Sequence, residues 1–191
     1  AEDCRLLTRL AETGPARNPE SAGAGGSGSL LETVENVWRQ IPQATPPAAL
    51  VKDFAANLRL RIDAGALEQI LFHLLANAVD AIRDRRRTEP AHQGEIRIAA
   101  RTLGRQVRIL VADDGCGMDP VVRKRAFQVF FTTKPAGQGA GLGLSIVQAL
   151  VRKNGGDIHV TSASGKGTAV WIDLLLEMRA ARQATAEAVV S

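Results

Sequence analysis

One long helical pattern, from Asp63 to the arginines at 85–87, limits the fold more than any other feature of this sequence. Leu67, Ile70, Leu71, Leu74, Leu75, Ala78, Val79 and Ile82 recur at steps of three and four, which makes one wide apolar stripe. Asp63 is a suitable N-cap, and the Arg and Pro90 region supplies the stop. A stripe of that width must be buried against other elements. Beside it, His73, Asn77, Asp80 and Asp84 follow at spacings of four, three and four, so they share a second, polar face. A polar face is ordinarily just solvated. Asn77 is different because it sits inside Leu74-Leu75-Ala76-Asn77-Ala78, among core residues and beside small ones that leave room for something bulky. An amide oxygen is a hard, neutral ligand of the kind Mg²⁺ takes alongside phosphate oxygens and waters.

The rest of the chain supplies partners for this helix. With 191 residues and 45% apolar content, one globular domain with flexible ends is expected. Aromatic residues are scarce and Tyr is absent, so the core must rest on Leu, Ile, Val and Ala. Residues 1–13 predict a short helix carrying Leu6, Leu7 and Leu10. Residues 14–29, rich in Pro, Gly and Ser, predict a linker. The domain proper is expected over 30–178, followed by an Ala-rich tail, 179–191, without recognisable chemistry. Helical spacing returns over 30–41 and 142–153, and strands are predicted at 58–62, 95–101, 106–112, 157–163 and 168–176. Helices and strands do not alternate strictly. The pattern argues for a mixed sheet covered by helices on one face, not a doubly wound parallel sheet.

The net charge of +4 suits an anionic partner but is weak evidence for one. The cluster Arg85-Arg86-Arg87 reads as a basic last turn that complements the helix dipole. Cys4 and Cys116 form no metal-type or disulfide spacing, so a reduced, cytoplasmic setting is expected. No apolar run approaches the length of a membrane span, although the parent protein can still be membrane-bound.

Three further stretches carry chemistry. Val111-Ala112-Asp113-Asp114-Gly115-Cys116-Gly117-Met118 ends an apolar strand in a carboxylate and alternating glycines. Glycines let backbone approach a flat ligand, and a carboxylate there can accept from an exocyclic amine such as that of adenine. A simple Asp-Gly turn is the ordinary alternative. Phe127 to Lys134 holds three of the five Phe residues, expected to anchor a mobile segment, and a Lys that could meet a terminal phosphate. Gly137-Gln138-Gly139-Ala140-Gly141-Leu142-Gly143-Leu144 runs glycines into an apolar helix, offering N–H groups and a helix N-terminus to phosphate. It fits neither the dinucleotide fingerprint nor a Walker A loop. Gly165-Lys166-Gly167-Thr168 reads alone as a hairpin turn.

Taken in order, these stretches resemble the N, G1, F, G2 and G3 boxes of histidine kinase catalytic domains, in the superfamily that also holds gyrase B, Hsp90 and MutL. The resemblance covers about 30–176, and Phe-Phe-Thr-Thr-Lys with Gly-Leu-Gly-Leu is similar to the nitrogen-regulator and sporulation kinase branch. It implies an α/β fold, the two-layer Bergerat sandwich, with a mixed, mostly antiparallel sheet covered on one face by helices. It implies ATP and Mg²⁺ as ligands. Asn77 would hold the metal, and Asp113 would read the adenine amino group with Gly115, Gly117 and Met118 along the base. Lys134 would reach the γ-phosphate from a lid over 118–139. Gly139, Gly141, Leu142, Gly143 and Leu144 would surround the phosphates, and Thr168 would reach adenine through water. His73 stands where the family often has Asn, and Asp80 where some branches have Lys; both are expected at the nucleotide.

The three histidines, His73, His92 and His159, lack the Glu and Pro pattern of a phosphoacceptor helix. The resemblance therefore implies a catalytic module of a longer kinase, with residues 1–13 as a tail of its dimerisation region. Its implied partners are the dimerisation and phosphoacceptor domain and a response regulator, with no nucleic acid. The module should bind ATP without phosphorylating itself. Alternatives on the same fold are an ATPase, an anti-sigma-type serine kinase, or a degenerate regulatory ATP-binding module. Glu68 lies nine residues before Asn77 on another face, so no water-activating Glu is evident.

Overall fold

The computed structural model describes residues 27–42, 48–134 and 139–177. The expected helix over 1–13, most of the expected linker and the tail lie outside them. Three residues at the linker's end, Ser27–Ser29 (β1), form a strand instead and pair antiparallel with β3, Arg59–Arg61. Helix α1, Leu30–Gln40, follows directly, with the Ser29 side chain accepting from the Glu32 N–H at its start.

The main sheet has five strands in the order β2-β4-β5-β7-β6. They are Ala49–Asp53 (β2), Glu95–Leu103 (β4), Gln106–Asp113 (β5), Asp157–Ala163 (β6) and Gly167–Leu175 (β7). Only β2 runs parallel to its neighbour; every other pairing is antiparallel. Strand β2 was not expected, because its five residues sit just after a Pro-rich break and show no clean alternation. Central strand β5 is buried along its whole length. That is why its sequence reads as a nearly continuous apolar run.

Helix α2, Ala64–Thr88, is the long helix of the sequence pattern, and the Asp63 carboxylate caps it by accepting from the Ala66 N–H at 3.0 Å. All eight residues of its apolar stripe are buried. With α1 and α4, Gly143–Lys153, it covers one sheet face, packing on Ile96, Ile98, Val107, Ile109, Val111, Val170 and Ile172. A short helix α3, Pro120–Arg125, lies beyond β5. The fold is thus a two-layer sandwich with one helical layer, as expected.

The other sheet face carries a small cluster of Ala99, Leu110, Ala112 and Ala169 beside Trp171. Arg108 and Asp173, paired in register across β5 and β7, meet there in a buried two-point contact at 2.7 and 2.8 Å. Both charges are satisfied, which makes the pair tolerable so far from water.

Candidate nucleotide site

A cavity of about 520 Å³ opens between α2, the loop after β5, the segment at 131–134 and the start of α4. All four members of the polar stripe, His73, Asn77, Asp80 and Asp84, line it. The stripe is therefore the wall of a pocket, not a solvated face.

One end of the cavity is closed by buried residues, Asp113 and Thr168 among them. Asp113 at the end of β5 is only 6% exposed. Its carboxylate accepts the Gly115 N–H at 2.9 Å and the Thr168 N–H. Burial still dominates and pushes its pKa up to about 7; the Gly115 bond opposes this, the Asp114 charge adds to it, and the Thr168 bond opposes it. Thr168 is the in-register partner of Asp113 across the sheet. Gly117 adopts φ +66°, and a Cβ there would lie 2.0 Å from the Ala163 carbonyl oxygen. Met118 lines the cavity and donates its N–H to Ser162 Oγ at 2.8 Å. Gly115 does not line the cavity. Its Cβ position would strike the Ala81 backbone at 2.5 Å, so this glycine seats the loop against α2.

The other end is open and rich in backbone. Helix α4 starts at Gly143 behind Leu142, which gives it no side-chain cap. Among the described residues its first N–H groups thus have no side-chain cap, and Gly143 and Leu144 line the cavity. Gly139, Gly141, Leu142, Gly143 and Leu144 all line this end; Gly137 and Gln138 lie outside the described residues. Gly141, at φ +66°, backs onto the main chain of Phe130 and Phe131, where a Cβ would approach to 2.5 Å. Asn77 and His73 stand opposite Gly143. The Asn77 amide has no hydrogen bond among the described residues, and burial lowers the His73 pKa, which favours the neutral ring. Lys134 lines this end and is ion-paired to Asp80, which also holds Arg83.

The three Phe residues do not act alike. Phe127 packs on the core and Phe131 lines the cavity with Arg125 over its ring at 4.2 Å. Phe130, expected as an anchor, is 75% exposed and held at φ +64°. The close approach of Gly141 to its backbone leaves its side chain no way in.

Several residues were missed. Ser162 is 2% exposed and bonds Met118, Gly167 and Thr168; on an alternating strand nothing marks it. The arginine cluster does more than complement a dipole. Arg85 donates to the Asp114 carbonyl at 2.8 Å, and Arg86 donates to the carbonyls of His92 and Gln93. His92 in turn meets the Asp114 carboxylate at 3.0 Å, which also accepts the Glu95 N–H. These bonds tie the end of α2 to the loop that carries the glycines. Cys116 lines the cavity, but burial and the nearby carboxylates of Asp84 and Asp113 push its thiol pKa up, away from nucleophilic chemistry.

Residues 62–178 match the family described as histidine kinase-, DNA gyrase B-, and HSP90-like ATPase. Sensor histidine kinase ZraS of Klebsiella oxytoca is 34% identical over 142 residues, 72% of this chain and 29% of that protein. The chain spans less than a third of the curated relatives it matches. Among solved structures, the mycobacterial sensor histidine kinase MprB shares the fold with a TM-score of 0.67 at 22% identity, covering 80% of this chain and 97% of that one. Full-length ShkA in complex with AMPPNP is similar at a TM-score of 0.64 and 25% identity, covering 94% of this chain and 36% of that one. The chain belongs to the histidine kinase-, gyrase B- and HSP90-like ATPase family.

Proposed function

We propose that this domain holds ATP with its adenine against Asp113 and its phosphates under the start of α4, and presents the γ-phosphate to a histidine outside the chain. The observation that carries this reading is the polarity of the cavity. A buried carboxylate with fixed N–H partners sits at its closed end, and uncapped helical N–H groups with a Lys sit at its open end. The closed end recognises a base edge; the open end supports multiple negative charges. Gly117 and Met118 lie along the base, and Thr168 stands beside Asp113. Lys134 supplies a point charge to the terminal phosphate, as its position on the cavity wall allows.

The donor set fits a magnesium ion that arrives with the nucleotide. No cluster of three His, Cys, Asp or Glu side chains suited to a metal occurs among the described residues, whereas the Asn77 amide is unengaged on the cavity wall. Asn77 would hold the ion, with phosphate oxygens and water completing its shell. Bound there, the ion would neutralise charge on the phosphates. The chain's own groups bind, orient and exclude water. Transfer forms a phosphorus–nitrogen bond to the acceptor imidazole and releases ADP. The acceptor and its base belong to the dimerisation and phosphoacceptor domain, and a response regulator would take the phosphoryl group next. A cytoplasmic setting suits an ATP-dependent step, and no helix among the described residues is long and apolar enough to cross a membrane.

Glu68 accepts from Gln40 and does not line the cavity, so this glutamate does not support an ATPase reading. The test is phosphoryl transfer from labelled ATP to a separately supplied phosphoacceptor domain of the same kinase. Labelling of that domain only when this chain and Mg²⁺ are present is expected. Acid-labile phosphate on this chain alone would overturn the assignment.

A further inference from the structure

The closed end of the cavity contains a hydroxyl pair whose proton directions are fixed by counting. Ser162 Oγ lies 2.8 Å from the Gly167 carbonyl oxygen, 2.8 Å from the Met118 nitrogen and 2.9 Å from Thr168 Oγ1. A serine hydroxyl has one proton and two lone pairs. The Gly167 carbonyl can only accept, so the Ser162 proton goes there. The Met118 N–H can only donate, so it takes one lone pair. The remaining lone pair faces Thr168, which must therefore donate its own proton to Ser162. Ser162 is then fully satisfied at 2% exposure, and Thr168 Oγ1 has no proton left. Thr168 lines the cavity beside Asp113, to which its backbone N–H is also bonded.

We propose that Ser162, which lies outside the cavity lining, is a specificity-determining residue. By taking the Thr168 proton, it makes the Thr168 hydroxyl an obligate acceptor beside Asp113, so that this edge of the pocket accepts a 6-amino purine and rejects a 6-oxo purine. The inference rests on the nucleotide reading above and deepens it. An ionised Asp113 is acceptor-only as well, so the two groups present one polarity to the base. A 6-oxo purine would set its carbonyl oxygen against two acceptors with no proton between them. A water held between the two groups gives the same preference as a direct bond, because it spends one proton on Thr168 and the other on Asp113 and keeps only lone pairs for the base.

The test compares ATP and inosine triphosphate, with Mg²⁺, by isothermal titration of the full chain at pH 8, where Asp113 is ionised. Wild type is expected to bind ATP in clear preference. In Ser162→Ala the Thr168 hydroxyl is free to donate outward, and the ATP-to-ITP affinity ratio should fall about tenfold, the worth of roughly one hydrogen bond. Part of that fall should be a gain in ITP affinity, which a merely loosened pocket would not produce. Thr168→Val keeps the Ser162–Gly167 bond and cannot donate, so it should weaken ATP without improving ITP. The double variant should lose the ITP gain. An unchanged ratio in Ser162→Ala that still binds ATP would overturn the polarity argument alone. An ITP gain that persists in the double variant would also overturn it, because the gain would not come from Thr168. Failure of wild type to bind ATP would overturn the nucleotide reading itself, and this inference with it.

Discussion

The two ends of the cavity are built on opposite principles. At the end around Asp113 the side chains are held in place by hydrogen bonds: Asp113 by Gly115 and Thr168, Ser162 by Met118, Gly167 and Thr168. The parts come from neighbouring strands, and a Cβ on Gly117 would meet backbone, which cannot yield. At the phosphate end the donors are main-chain N–H groups at a helix start and one flexible Lys. Among the described residues a Cβ on Gly139 would meet the side chains of Lys134, at 3.1 Å, and Thr132, at 3.4 Å, although Gly141 at the same end backs onto main chain as Gly117 does. The comparison teaches that selectivity and turnover are served by different mechanics in one pocket. On the proposed reading, groups fixed by strand pairing would discriminate between bases, while main-chain donors at a helix start would grip a charged tail.

That contrast can be broken by substitution. Gly117→Ala combines a left-handed backbone with a 2.0 Å approach to the Ala163 carbonyl, and should cost more than about 3 kcal/mol, read as a large fall in Tm or loss of folding. Asp113→Asn removes a charged acceptor from the base and should weaken ATP about 100-fold in isothermal titration, on the order of 3 kcal/mol. An unaltered affinity would sink the adenine assignment. Lys134→Ala should weaken ATP about tenfold but leave adenosine binding unaffected, as expected for a partly exposed charge at the far end. Gly139→Ala should change Tm by less than about 0.5 kcal/mol equivalent, because its neighbour is the flexible end of a side chain.

The pH dependence sharpens the same comparison. Asp113 has a folded pKa near 7, above its ordinary 3.8. Between those values the unfolded chain has lost a proton that the folded chain keeps, so this group's contribution to stability falls as pH rises from 3.8 to about 7 and is level above it. Binding runs the other way: the ionised form is the better acceptor for an amino group. ATP affinity should therefore rise from pH 6 to pH 8 in wild type, and the Asp113-dependent part of that rise should vanish in Asp113→Asn.

The stripes on α2, the helix at 143–153 and most strands were legible because burial on one face imposes a period that a sequence displays. Asp113, Asn77 and the glycine run were legible as types at characteristic spacings, and the cavity brings them together. What escaped notice depended on position in space. Strand β2 is held at an edge by a parallel neighbour distant in sequence, and short edge strands need little hydrophobic pattern. Ser162 becomes important only because β6 and β7 set it beside Thr168, and the Arg85–His92–Asp114 bonds join residues 22 and 29 apart. The resemblance sets Gly115 along the base, and the structure adds a demand the sequence does not display: the helix behind it leaves no room for a Cβ.

Asp113 and Thr168 face each other across β5 and β7 as hydrogen-bonded neighbours, yet 54 residues separate them along the chain. Everything between them is a single excursion that departs from one rung of the sheet, adds β6 at its edge and returns to that rung. The excursion contains the glycine run, the Phe-rich segment, α3, α4 and β6. Most of it is therefore a cassette. Changes of length within it need not shift Asp113 against Thr168, because the sheet and not the intervening chain holds that pairing.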